Sequence, residues 1–269
     1  ATIPLGESFF MYENFADIYD EFMQEIPAES WADYAETLWK RHGLKPHLVL
    51  DLCCGTGSLA MELCRRGYDL IGADGSAEML DQAGKKLSQA GMQDQVLLLL
   101  QDMREFELYG TVRAIVSVCD TLNYLTQEED LLKVFQLAEN YLDPGGLFLF
   151  DMNTAYKYEK IIGDTVIAEN RDDASFIWEN SYDAATNINE CFLTLFVRRE
   201  GNLFERSSEL HVQRAYTQKE VHRLLREAGL TMLSITEAYT GHPPKPESER
   251  LLFVAQKRRD WEGEEFLYI

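Results

Sequence analysis

Apolar and polar positions change their spacing three times along the chain. Residues 9–24, "FFMYENFADIYDEFMQ", repeat apolar and aromatic side chains near helical spacing, and a second helical stretch follows Pro27 over 30–42. Short apolar runs then take over: "HLVLDL" (47–52), "YDLIGAD" (68–74), "QVLLLLQD" (95–102), "VRAIVSVCD" (112–120) and "GLFLFDMN" (146–153). Such runs, bounded by turn residues, predict buried strands. Helical segments separate most of them. Ser58–Arg66 follows a glycine turn, Ser76–Gln89 opens on an N-cap serine, and Thr126 with Glu129 predicts a capping box before "LLKVFQLAENYL". Strands alternating with helices imply right-handed βαβ units and a mostly parallel sheet, an α/β fold.

After Asn153 the rhythm breaks. "SFIWENSYD" (175–183), "INECFLTLFVRRE" (188–200) and "LFERSSELHVQRAY" (203–216) are β-rich and partly alternating, with "DAATN" and "EGN" between them. They predict an antiparallel meander inserted after the fifth parallel strand. The α/β pattern resumes where Thr217 and Glu220 cap "VHRLLREA" and Gly229 ends it, followed by strands near 231–239 and 250–256. The expected organisation is one domain from 1–153 and 217–269, whose residues 1–44 form a helical lid, with 154–216 as an inserted subdomain.

Composition narrows the class. A chain of 269 residues that is 46% apolar can build the core of one large α/β domain. No run of eighteen apolar residues and no basic-then-apolar leader is present, so neither a membrane span nor a secretory signal is expected. Five cysteines at irregular spacing predict free thiols in a reducing cytoplasm. The formal charge of −21 repels phosphate backbones and disfavours DNA and bulk RNA as partners. Solubility is its plainest meaning; a preference for cationic or amine substrates is the sharper one.

Candidate chemistry starts at "VLDLCCGTGSLA", Val49 to Ala60. In open parallel sheets ligands bind outside the carboxyl ends of strands, where strand order reverses. Gly55 and Gly57 would let backbone approach a ligand closely, and Asp51 could accept from a ligand ammonium or organise the turn. Phosphate binding fits poorly. The turn reads Cys53-Cys54-Gly55-Thr56-Gly57-Ser58, short of Gly-x-Gly-x-x-Gly, and no Walker ending follows. Asp74, 19 residues after Gly55 at the end of the second strand, can accept both hydroxyls of a ribose. Asp102 can accept from an exocyclic amine, with Met103 offering a backbone N–H and an apolar wall, and "VCDTLNYL" ends the fourth strand at the same edge. Four consecutive strand ends thus supply polar groups to one crevice. Adjacent Cys53 and Cys54 cannot readily chelate one ion, so structural thiols and no metal are expected.

"VLDLCCGTG", "LIGADGSAEML", "LQDMREF", "DTLNYL" and "LDPGGLFLFDMN" resemble, in order, the motifs of class I S-adenosylmethionine-dependent methyltransferases. The N-terminal "NFADIYDEFM" and the meander look most like the small-molecule branch, which includes glycine and sugar-amine N-methyltransferases and bacterial YqeM-like proteins. The resemblance implies a Rossmann-like seven-stranded sheet, S-adenosylmethionine as cofactor, a small-molecule acceptor, and a monomer or homodimer. A cofactor-binding regulatory or scaffolding protein of the same fold, or RNA or protein methylation, are the alternatives. It implies that Asp51 and the Cys53, Cys54, Gly55 and Gly57 backbone meet the methionine part, and that Asp74 holds the ribose. Gly75 and Met79 would lie beside the adenine, Asp102 and Met103 would take its ring, and Cys119 would face the sulfonium, with Asn123 and Tyr124 as walls. Tyr12 and Tyr19 resemble aromatics that fold over the methionine end. Cys53 stands where the family has a glycine, and a small side chain there is expected to need no positive φ. Asp120, Asp151 and His211 are the candidate general bases, His211 being expected as an exposed strand residue. Tyr156, Phe176, Trp178, Tyr182 and Phe192 are candidate acceptor walls.

Overall fold

The computed structural model describes residues 27–259, so the helix expected over 9–24, with Tyr12 and Tyr19, lies outside the described residues. Helix α1 spans Ala28–Arg41 and is followed by β1 (Leu48–Leu52), α2 (Ser58–Arg65), β2 (Asp69–Asp74), α3 (Ala77–Gln89), β3 (Val96–Leu100) and β4 (Val112–Ser117). A 3-10 turn, Thr121–Tyr124, leads into α4 (Glu128–Tyr141) and β5 (Leu142–Asn153). After β6 (Val166–Asn170), β7 (Ala174–Asp183), β8 (Ile188–Arg198) and β9 (Phe204–Arg214), the chain returns through α5 (Gln218–Glu227) to β10 (Leu230–Glu237) and β11 (Arg250–Lys257).

Seven strands form one sheet in the order β3-β2-β1-β4-β5-β11-β10, with β11 antiparallel to both its neighbours. From β1 the chain builds outward to β2 and β3, then crosses back to β4 and β5. The order therefore reverses between β1 and β4, which is where such sheets open a ligand crevice. Both faces are covered. Leu131, Val134 and Phe135 of α4 and Val221, Leu224 and Leu225 of α5 pack on one side. Leu38 and Trp39 of α1, Leu59 and Leu63 of α2, and Leu87 of α3 pack on the other. Phe150 and Phe253, cross-strand partners, stack with ring centroids 5.0 Å apart at the centre of the first layer. Each such fully buried side chain contributes about 1.5–3 kcal/mol.

The local chemistry explains most element boundaries. Ser76 caps α3 by accepting from the Met79 N–H, and Thr217 with Glu220 closes a complete capping box on α5. The box expected from Thr126 and Glu129 does not form: α4 begins at Glu128 with Gln127 as its cap residue and no side-chain cap. Three acids in its first turn, Glu128, Glu129 and Asp130, instead meet the positive helix end. Gly145 and Gly146 sit in an irregularity where β5 shifts register against β4; a Cβ on Gly146 would lie 2.9 Å from the Asp143 carbonyl oxygen.

The meander forms a separate antiparallel sheet in the order β6-β7-β8-β9. Its first strand was not among those the sequence predicted, because "VIAEN" is exposed at nearly every position and carries no two-residue alternation. Along β7, β8 and β9 one face is buried: Phe176, Trp178, Asn180 and Tyr182 pair across to Leu195, Leu193, Cys191 and Asn189, and these to Ser207, Glu209, His211 and Gln213. Phe192 belongs to the opposite face and is 42% exposed, so it is not a wall of any interior site.

Candidate active site

The carboxyl ends of β3, β2, β1 and β4 lie side by side along one edge of the sheet, with the reversal between β1 and β4. Asp51 ends β1 as a buried carboxylate. Its Oδ2 is buried with no hydrogen-bond partner among the described residues, while the Ala60 N–H faces the carboxylate from α2. Burial first, and the field of Asp74 second, push its pKa up to about 7. Asp74, at the tip of β2, holds the turn after β1: its Oδ2 accepts from the Gly55 N–H at 2.8 Å and its Oδ1 from the Ser76 N–H at 2.8 Å. Burial raises this carboxyl as well, against the pull of the Ser76, Gly55 and Gly75 N–H groups. Asp102, just beyond β3, is gripped by Arg104, whose Nε lies 3.0 Å from Oδ1 and whose Nη2 lies 2.5 Å from Oδ2. Burial alone would raise Asp102, but Arg104 outweighs it and holds the carboxyl below its ordinary value. Met103 is half-buried beside it, and Met79 is buried in the first turn of α3.

The glycine turn is built differently from the sequence expectation in two respects. Cys53 has φ +62°, so it takes the left-handed conformation that the family's glycine allows, at a cost of roughly 1–2 kcal/mol for a residue with a Cβ. Gly57, at φ +74°, faces the protein rather than open space: a Cβ there would lie 3.0 Å from the Ala83 Cβ of α3. Gly57 thus brings α2 and α3 together. Gly55, at φ +53°, has no atom of the described residues within 4 Å of its absent side chain, so that among them its bare backbone faces open space. The thiols of Cys53, Cys54 and Cys119 are pushed well above their ordinary pKa by burial and by neighbouring carboxylates, which favours the neutral form.

A second strained turn follows β4. Cys119 and Asp120 have φ +64° and +50°. Asp151, fully buried at the end of β5, accepts from the Cys119 N–H at 3.3 Å, the Asp120 N–H at 2.6 Å, the Tyr239 hydroxyl, and Arg250 Nη1 at 3.2 Å. Arg250 Nη2 reaches Asp120 Oδ1 at 2.5 Å, and Gln213 from β9 donates to Asp120 Oδ2 at 2.8 Å. Neither Asp120 nor Asp151 stands ready as a free base; both are pinned in one buried ionic network. Asn123 stitches the same turn to its surroundings, donating to the carbonyls of Arg214 (2.8 Å) and Asn153 (3.2 Å) and accepting from the Asn153 N–H.

His211 also departs from expectation. It is buried rather than exposed, with Nδ1 3.0 Å from the Tyr124 hydroxyl. Tyr158, fully buried, stacks on Tyr182 at 5.9 Å and donates to Gln213. Lys157 bonds to Asn153 Oδ1 at 3.0 Å, and burial and Arg250 lower its pKa. Tyr156 is half-buried at the start of this segment. Arg250, Gln213, Tyr239, Lys157 and Tyr158 carried no motif signal. The one available hint was an arginine opening the otherwise apolar run "RLLFVA".

A methyltransferase-domain model matches residues 49–146, which span these four strand ends. YqeM of Bacillus subtilis (strain 168), designated a methyltransferase, is 33% identical over 93% of this chain and 98% of its own length. The chain belongs to the YqeM-like methyltransferases. An S-adenosylmethionine-dependent methyltransferase from Clostridium acetobutylicum has the same fold with a TM-score of 0.83, at 28% identity over 92% of this methyltransferase and 99% of that one. Over 52% of the chain and 58% of the relative, it is also 30% identical to an N,N-dimethyltransferase of a dTDP-amino sugar from Streptomyces venezuelae. The enzyme is a class I methyltransferase that uses S-adenosylmethionine.

Proposed function

We propose that this methyltransferase places a methyl group on the amine nitrogen of a small molecule held between the ends of β4 and β5 and the inner face of the β7–β9 sheet. The observation that carries this reading is the character of that face. Phe176, Trp178 and Tyr182 line it in alternation, Tyr158 stacks beside them, and buried Asn180, Asn189 and Gln213 add polar groups. An aromatic and polar lining suits a small cation, which the ring faces attract. The acidity of the chain and the likeness to an amino-sugar N,N-dimethyltransferase support the same choice. In this reading residues 154–216 form the acceptor subdomain and residues 1–44, with Tyr12 and Tyr19, close over the cofactor.

The residues at the strand ends fit the cofactor. The unpartnered Asp51 Oδ2 suits its ammonium, and the open side of Gly55 suits close passage of its methionine chain, with the Cys53–Gly57 backbone around it. Asp74 would hold the ribose hydroxyls, Gly75 and Met79 would lie beside the adenine, and Asp102 and Met103 would border its ring. Cys119 would lie next to the sulfonium, with Asn123 holding that turn in place. The cofactor, when bound, supplies a methyl group activated on sulfur; the protein aligns the acceptor nitrogen and excludes water.

Asp51 gives a pH test. Its folded pKa stands above the unfolded value, so the native state holds an extra proton between roughly pH 4 and 7 and loses stability as pH rises through that window. An ammonium at Oδ2 favours the ionised form. Affinity for S-adenosylhomocysteine is therefore expected to rise between about pH 5 and about pH 7, by at most about tenfold per unit, and then to level off. Calorimetric titration across that range measures it; a flat profile would remove Asp51 from the ammonium site.

The acceptor class is tested by incubating the full chain with methyl-labelled S-adenosylmethionine and a panel of amino sugars, amino acids, simple amines, carboxylic acids and RNA. Label on amines alone is expected. Label confined to carboxylic acids or RNA contradicts the reading, and tight cofactor binding with no transfer to any member favours a regulatory or scaffolding role.

A further inference from the structure

The inner face of β9 carries a polar cluster to which cofactor binding gives no task. Glu209, His211 and Gln213 alternate along the strand and are 7%, 5% and 7% exposed. His211 Nε2 lies 3.2 Å from Glu209 Oε2, and its Nδ1 lies 3.0 Å from the Tyr124 hydroxyl, with the two rings edge to face at 5.9 Å. Tyr124 closes the 3-10 turn that starts beside Asp120, and Gln213 reaches Asp120 directly. This stretch of β9 therefore looks onto the end of β4, where the donor sulfonium is placed above. The Cys191 thiol, opposite His211 on β8, is pushed up to about 12 by burial and stays neutral. Among the described residues, that leaves Glu209 and Tyr124 as the groups set to exchange or share a proton with the imidazole. Burying a carboxylate and an imidazole on a sheet face costs stability that apolar residues would not cost, and the geometry is that of a hydroxyl hydrogen-bonded to a base with a carboxylate beside it.

We propose that Tyr124, His211 and Glu209 form a proton relay that deprotonates the acceptor ammonium; the proposal rests on the amine reading above. The acceptor's N–H proton passes to the Tyr124 oxygen as the Tyr124 O–H proton passes to His211 Nδ1. The imidazole becomes an imidazolium whose Nε2 lies 3.2 Å from the Glu209 carboxylate, within reach of its charge. The freed lone pair on nitrogen forms the new N–C bond as the C–S bond breaks and its electrons stay with sulfur. The imidazolium returns its proton through Tyr124 to solvent once product leaves. Tyr124 is the catalytic residue, and His211 and Glu209 position and charge it.

Two measurements keep failure of the relay distinct from failure of the amine reading. The first needs no acceptor. In the full chain saturated with S-adenosylhomocysteine, nitrogen NMR of isotope-labelled histidine is expected to show His211 protonated on Nε2 and bare on Nδ1, with the Nδ1 signal shifting in Tyr124→Phe. A ring protonated on Nδ1 instead, or an Nδ1 signal that Tyr124→Phe leaves unmoved, overturns the relay whatever the acceptor is. The second uses an amine from the panel that takes up label. Tyr124→Phe, which keeps the ring, is expected to lower kcat about a hundredfold with KM little changed, and the deficit should shrink as pH approaches the amine's own pKa. Glu209→Gln should follow the same pH-dependent pattern. A deficit constant across pH, or one confined to KM, assigns these residues to packing or binding and overturns the relay.

Discussion

Replacing Asp74 with alanine is expected to weaken S-adenosylhomocysteine binding by tenfold or more. In the folded chain this carboxylate draws in the Gly55 and Ser76 N–H groups at 2.8 Å each, so it shapes the glycine turn and also projects at the tip of β2. Loss of two charge-assisted hydrogen bonds to a ribose, each worth about 1.5–3 kcal/mol, would by itself exceed the roughly 1.4 kcal/mol that a factor of ten requires. Release of Gly55 adds to this, because the turn loses the acceptor that holds its left-handed conformation. Titration calorimetry on a variant that still melts cooperatively reads the effect. Asp74→Asn, which keeps an acceptor oxygen but no charge, should fall between the two. Unchanged affinity in Asp74→Ala would place the ribose elsewhere.

The largest loss of stability is expected for Arg250→Met, about 3–5 kcal/mol by denaturant unfolding. Arg250 is mostly buried and joins Asp120 and Asp151, whose carboxylates also fix the left-handed Cys119–Asp120 turn and the Tyr239 hydroxyl. Removing the guanidinium leaves Asp151, with no exposed surface, as an uncompensated charge. An exposed pair supplies the contrast: Lys160, 59% exposed beside Glu159, is expected to cost less than about 1 kcal/mol when changed to Met. Equal losses at the two sites would contradict a structural role for the buried network.

Legibility in the sequence followed the range of the interactions. Asp51, Asp74 and Asp102 each end an apolar run, so local pattern alone placed them at one sheet edge. The complete capping box at Thr217 and Glu220 was equally local. Phe192 was misplaced because "CFLTLF" is apolar on both parities, and alternation cannot choose a face when both faces carry apolar residues. Nothing in a cysteine announces φ +62°; Cys53 adopts it because the turn after β1 must bring Gly55 under the Asp74 carboxylate. The Arg250 network joins positions 99 and 130 residues apart, beyond the reach of any local pattern. His211 likewise looked like one polar residue on an alternating strand until β9 was seen to fold against the end of β4. Three strained residues, Cys53, Cys119 and Asp120, cluster at the ends of β1 and β4, the two strands that flank the reversal point. Backbone strain held this consistently at one crevice is what a ligand-shaped turn requires.

The most direct test is a crystal structure of the full chain with S-adenosylhomocysteine. The expected result has the Asp74 carboxylate on both ribose hydroxyls, Asp51 Oδ2 on the amino group, and the sulfur beside Cys119. A nucleoside bound away from the ends of β1, β2 and β4, or bound there with Asp51 Oδ2 still unpartnered, would contradict the account.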